Sequence, residues 1–118
     1  MSRMKPKIAE AHDSGLIEST REIFLGSYPE GEDPGIDYRS ALRFITNLRI
    51  LESSGTQPVI IHQYSSGGEW HSGMAIYDAI KASPCNFIFI CYGLCASMGS
   101  IIAQAPLNKG LRLCTPNC

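Results

Sequence analysis

The chain has no apolar run long enough to span a bilayer; its longest reads Phe87-Ile88-Phe89-Ile90-Cys91-Tyr92. That excludes a transmembrane helix. Three basic residues, Arg3, Lys5 and Lys7, precede Ile8, but no apolar stretch follows them, so the start does not read as a signal peptide. Charge is scarce and balanced. Charged residues make up 18% and the net charge is −1, which gives no pull toward nucleic acid or anionic lipid. No basic patch with interleaved aromatics is present. Histidine is rare: His12, His62 and His71, with none after His71. The five cysteines, Cys85, Cys91, Cys95, Cys114 and Cys118, are odd in number, and one lies inside the apolar run. Without a signal peptide the expected compartment is reducing and cytoplasmic, and disulfides are not expected. The paired spacing Cys91-x3-Cys95 and Cys114-x3-Cys118 admits a four-thiolate zinc site on paper. Cys91 reads better as a small buried hydrophobe and Cys95 as a small turn residue, so no metal is expected.

What is present fits one small globular domain of 118 residues. Residues 1–19 are polar and mixed and read as a mobile arm, leaving 20–118 as the folded part. Arg21 to Gly26 reads as a short strand closed by glycine, and Tyr28 to Gly35, with Pro29, Gly31 and Pro34, as a loop. Asp37 is an N-cap for a helix to about Ser54. Ala41, Leu42, Ile45, Leu48 and Leu51 fall at helical spacing, and Gly55 ends it. Pro58 opens a strand over 59–64, followed by the turn Ser65-Ser66-Gly67-Gly68. A helix over 70–81 sets Met74, Tyr77 and Ile80 on one face, and Ser83-Pro84 breaks it. Strand 87–92, a helix over 97–105 ended by Pro106, and a strand starting at Leu111 complete the order. Alternating strands and helices predict an α/β fold with a mainly parallel sheet. The turns at 65–68 and 93–97 both follow strands, so they share the rim where such sheets bind ligands.

The second turn carries the chemistry. Gly93-Leu94-Cys95-Ala96-Ser97-Met98-Gly99 places a serine between a strand and a helix of small residues. A serine there is exposed and lies beside unpaired N–H groups of the helix start. Those are two needs of a serine hydrolase, a nucleophile and an oxyanion site. A plain N-cap serine is the competing reading. His71, at a helix start near the glycine turn, is a weak alternative base. His62, inside a strand, reads as a packed histidine.

These residues resemble a known family, the proteolytic subunit of Clp protease, a serine endopeptidase. Gly-Leu-Cys-Ala-Ser-Met-Gly at 93–99 is similar to its nucleophile motif, and Ser-Ser-Gly-Gly at 65–68 to its Ser-Pro-Gly-Gly. Gly73-Met-Ala-Ile-Tyr-Asp78 is similar to its helix signature. Leu111 to Asn117 resembles the segment just before its catalytic histidine. The likeness runs from about Glu22 to Cys118 and is greatest to phage or prophage members. It implies the Clp protease/crotonase-like fold, here C-terminally truncated. It implies Ser97 as nucleophile, the backbone N–H groups of Gly68 and Met98 as oxyanion hole, and Gly67 as the residue of the tight turn. It also implies that the chain after Gly68 takes the substrate backbone as an added strand. The implied partners are a polypeptide substrate, further copies in a homo-oligomeric ring and an ATPase unfoldase. No cofactor is implied, and the setting is the cytoplasm of a bacterial or virus-infected cell.

The sequence departs from the family at Ser66, where the family has proline. It also stops before the positions of the family's histidine and aspartate, so the 118 residues alone are expected to be inactive. Two other readings stay open. One is a non-catalytic ring-assembly subunit or gene fragment. The other is a crotonase-like enzyme using the same kind of oxyanion hole on a thioester.

Overall fold

The computed structural model describes residues 14–26 and 35–118. Residues 1–13 of the expected arm and most of the expected loop, 28–34, lie outside them. The elements in chain order are β1 (Leu16–Ile17), β2 (Glu22–Leu25), α1 (Tyr38–Ser53), β3 (Val59–Ser65), α2 (Trp70–Ala82), β4 (Phe87–Cys95), α3 (Met98–Ile102) and β5 (Gly110–Cys114). The strands form one five-stranded sheet in sequential order, β1-β2-β3-β4-β5. β1 runs antiparallel to β2; the other neighbours are parallel. Within the stretch read as an arm, Leu16 pairs with Ile23 and is buried.

The helices cover one face of the sheet. Along β2, β3 and the first half of β4, buried and half-buried residues alternate, the period-2 signature of a strand packed on one side. Ile23, Leu25, Val59, Ile61, Phe87 and Phe89 point into the core. Their side chains meet Phe44, Leu48 and Leu51 of α1, Ile76 and Ile80 of α2, and Ile102 of α3. The opposite face carries the half-buried Ile60, His62, Ile88 and Ile90.

Local chemistry sets the helix ends. The Asp37 carboxylate accepts from the backbone N–H groups of Arg39 and Ser40, at 2.9 and 3.0 Å, while the Ser40 hydroxyl accepts from the Asp37 N–H at 2.8 Å. This reciprocal cap satisfies donors that the first turn leaves unpaired. Glu69 caps α2 with its carboxylate alone, accepting from the N–H groups of His71 and Ser72. At the other end of α1 the Arg21 guanidinium collects loose carbonyls. It donates to Leu51 O at 3.0 Å, Gly55 O at 3.2 Å and Gln57 O at 3.0 Å.

Several sequence expectations need correction. Leu42 is 62% exposed, because the buried stripe of α1 runs through Ala41, Phe44, Leu48 and Leu51. The buried face of α2 is Ser72, Gly73, Ile76 and Ile80; Met74 and Tyr77 flank it. The helix expected over 97–105 ends at Ile102. The next donors, Gln104 N and Ala105 N, reach back three residues rather than four, and Pro106 has no N–H to continue. Strand β4 is longer than expected and runs through Gly93 to Cys95.

Candidate active site

The two expected turns meet. β3 and β4 pair in parallel from Val59↔Phe87 to Gln63↔Cys91, slip in register, and pair again at Ser65↔Cys95. Ala96 N then donates to Ser65 O at 3.0 Å, which ties the serine turn to the glycine turn at its first residue. Gln63, fully buried beneath them, donates from Nε2 to Gly99 O at 3.0 Å and to Cys95 Sγ at 3.1 Å.

Ser97 sits between β4 and α3 with φ 53° and ψ −122°. A non-glycine residue rarely takes that conformation, and holding one there costs roughly 1–3 kcal/mol. Ser97 occupies the N-cap position, yet its side chain makes no cap hydrogen bond. The exposed hydroxyl is thus uncommitted among the described residues. Ser100, one turn on, donates its hydroxyl to Ser97 O at 2.7 Å.

The glycine turn faces this serine. Gly67, at φ +114°, lies so close that a Cβ there would stand 2.7 Å from Ser97 Cβ and 3.1 Å from its Oγ. Gly68, at φ +155°, packs on the backbone of Ile36; a Cβ would stand 2.2 Å from Ile36 O. Ile36 and Gly68 form a parallel bridge through Ile36 N to Gly67 O at 2.8 Å and Glu69 N to Ile36 O at 2.9 Å. Both bonds use neighbours of Gly68. Among the described residues, neither the Gly68 nor the Met98 N–H donates a hydrogen bond. Met98 is buried, its side chain against Gly73 of α2, and this contact seats the start of α3.

The chain after Gly68 does not continue as a strand, contrary to the expectation. Glu69 has its carboxyl held below the ordinary value by the Ser72 hydroxyl and the N–H groups of His71 and Ser72, and α2 follows at once. His71 is exposed in the first turn of α2 and borders a shallow groove with Tyr38, Leu42 and Ala75. Among the described residues it makes no hydrogen bond to Ser97.

His62 is committed elsewhere. Its Nε2 pairs with Glu22 Oε1 at 2.7 Å, its Nδ1 with the Tyr92 hydroxyl at 2.7 Å, and its ring stacks on Phe24. Burial works to raise the Glu22 carboxyl, but the Thr20 hydroxyl and His62 outweigh it and leave it below its ordinary value. Sequence reasoning missed this chain of contacts because Glu22, His62 and Tyr92 come from three strands. Among the described residues no group of three or more His, Cys, Asp or Glu is placed to hold a metal ion, and no helix is long and apolar enough to cross a membrane.

A mainly parallel sheet with helices on one face, a strained serine between strand and helix, and a paired-glycine turn against it define the class as an α/β protein. The sequence profile of Clp protease matches residues 13–118, and the chain belongs to that family. It is 32% identical over 113 residues to the chloroplastic ATP-dependent Clp protease proteolytic subunit 3 of Arabidopsis thaliana, covering 95% of this chain and 34% of that one. To proteolytic subunit 1 of Salinibacter ruber it is 39% identical over 126 aligned positions, covering 98% and 50%. A solved ClpP1 mutant from Listeria monocytogenes superposes with a TM-score of 0.75 at 26% identity, covering 86% of this chain and 54% of that one. The chain therefore spans between about a third and a half of the relatives' length.

Proposed function

We propose that this chain is the nucleophile-bearing part of a Clp-type serine endopeptidase subunit. Ser97 attacks the scissile carbonyl, and the N–H groups of Gly68 and Met98 receive the oxyanion. Gly67 holds the turn against the serine. The observation that carries this reading is the Ser97 conformation. Strain there, with the hydroxyl left out of the cap it could make, presents Oγ to the glycine turn. Donors without partners beside it are what a developing alkoxide needs.

The described residues put no base on Ser97. His62 is held by Glu22 and Tyr92, and His71 stands on the groove side of α2. A triad serine without its base keeps only a residual acceleration, about 10³–10⁴ over water. These 118 residues by themselves are therefore proposed to cleave peptides poorly. The family relation supports a homo-oligomeric ring; a polypeptide substrate, an ATPase unfoldase partner and a setting in the cytoplasm of a bacterial or virus-infected cell belong to the proposal.

The test is hydrolysis of a fluorogenic peptide by the 118-residue chain and by the same chain extended with the C-terminal segment of its Salinibacter ruber relative. The expected result is cleavage by the extended chain only, lost with Ser97→Ala. Cleavage by the short chain that His71→Ala removes would move the base to His71 and overturn the reading of these residues as base-free.

A further inference from the structure

The sheet face away from the helices carries a line of polar groups that the proposed reaction does not use. Phe24 of β2, His62 of β3 and Ile90 of β4 are register partners. Glu22 stands two residues before Phe24, and Tyr92 two residues after Ile90. With side chains alternating along each strand, Glu22, His62 and Tyr92 therefore share one face, on a diagonal across three strands. Their ends meet. Glu22 Oε1 lies 2.7 Å from His62 Nε2, and the Tyr92 hydroxyl lies 2.7 Å from His62 Nδ1. The imidazole is steadied by stacking on Phe24, with ring centroids 4.5 Å apart. The other Glu22 oxygen accepts from the Thr20 hydroxyl.

The chemistry of the groups fixes where the protons sit. Burial works to raise the Glu22 carboxyl, but its hydrogen bonds outweigh burial and keep it ionised. An ionised carboxylate only accepts, so the neutral His62 ring carries its proton on Nε2. Nδ1 is then the acceptor, and the Tyr92 hydroxyl donates to it. A carboxylate, an imidazole and a hydroxyl in that order are the parts of an activated nucleophile. Tyr92 is 38% exposed, so a reagent reaches its oxygen.

We propose that Tyr92 is a site of covalent acylation, with His62 as the general base for its phenol and Glu22 as the positioning residue behind His62. The acyl donor is an activated ester. The Tyr92 oxygen attacks the ester carbonyl as its proton passes to His62 Nδ1. The tetrahedral adduct collapses, the bond from the carbonyl carbon to the leaving oxygen breaks, and the leaving group takes the proton from Nδ1. A new ester joins the acyl group to Tyr92, an alcohol departs and His62 is neutral again. Nothing is oxidised or reduced. The site stands whether or not Ser97 attacks peptides.

The test is brief treatment of the 118-residue chain with p-nitrophenyl acetate, followed by peptide mapping of the acetylated tyrosines. Tyr38 and Tyr64 are internal controls. They are 68% and 51% exposed, and among the described residues neither phenol makes a hydrogen bond. On exposure alone both would react before Tyr92. The expected result is Tyr92 acetylated faster than either, by about 10²-fold, the low end of what a positioned base contributes. His62→Phe, which keeps a ring against Phe24, should bring Tyr92 down to the control rate and leave the rates at Tyr38 and Tyr64 unchanged. Glu22→Gln should slow Tyr92 in the parent but not in the His62→Phe chain, because the carboxylate acts through the imidazole. Acetylation of Tyr92 no faster than that of Tyr38 and Tyr64, or undiminished in His62→Phe, would overturn the proposal.

Discussion

Replacing Gly68 by alanine tests the glycine turn most severely. The new Cβ would stand 2.2 Å from Ile36 O and 2.5 Å from Ile36 N, both backbone atoms that cannot rotate away. The residue also holds φ +155°, a conformation essentially confined to glycine. Strain of this kind costs roughly 1–3 kcal/mol. Relief requires Ile36 to leave its bridge, with the loss of two backbone hydrogen bonds worth about 0.5–1.5 kcal/mol each. The sum is about 2–6 kcal/mol, a large part of the total stability of a small domain, about 5–15 kcal/mol. Gly99→Ala is the control. There a Cβ makes only ordinary contacts, with Ser65 at 3.4 Å and Gln63 Nε2 at 3.6 Å, and alanine in place of glycine in a helix gains up to about 1 kcal/mol. Urea unfolding followed by circular dichroism reads both. A Gly68→Ala midpoint within error of the parent, or a larger loss at Gly99 than at Gly68, would refute the packing described here.

Three further outcomes follow from the same structure. Arg21→Ala should cost about 2 kcal/mol in urea unfolding, since it strips the α1 C-terminal carbonyls of a charged donor, and Arg21→Lys should restore only part of it. Asp37 is held below its ordinary value chiefly by the Ser40 N–H, and Glu69 by the Ser72 hydroxyl. A depressed carboxyl contributes stability above its unfolded pKa and loses it as pH falls, so melting temperature should drop below about pH 4, and Asp37→Asn should flatten that drop. The β5 edge is exposed along its length, with Leu111 59% accessible; Leu111→Lys with Leu113→Lys should reduce self-association in sedimentation velocity, and unchanged association would point to another surface.

Features set by near neighbours were legible in the sequence. Asp37 before a 3.6-period stripe marks the start of α1, and Gly55, at φ +138°, marks its end. The apolar run and the small residues around Ser97 mark the strand-to-helix elbow. Features set by distant partners were not legible. Nothing near Arg21 shows that its guanidinium reaches Leu51, Gly55 and Gln57. Leu42 obeys the helical period as well as Leu48 does, and only the position of the sheet decides which is buried. The β1 pair, Leu16–Ile17, is too short to give a periodic signal in a polar segment. The close approach of Ser97 to Gly67 joins residues thirty apart in the chain.

The account rests on Ser97 as the nucleophile facing the glycine turn. The most direct measurement is reaction of the extended chain with a fluorophosphonate, with the adduct located by peptide mass spectrometry. The prediction is one adduct, on Ser97, absent in Ser97→Ala and retained in Ser100→Ala. An adduct on another residue, or undiminished labelling of Ser97→Ala, would contradict the assignment.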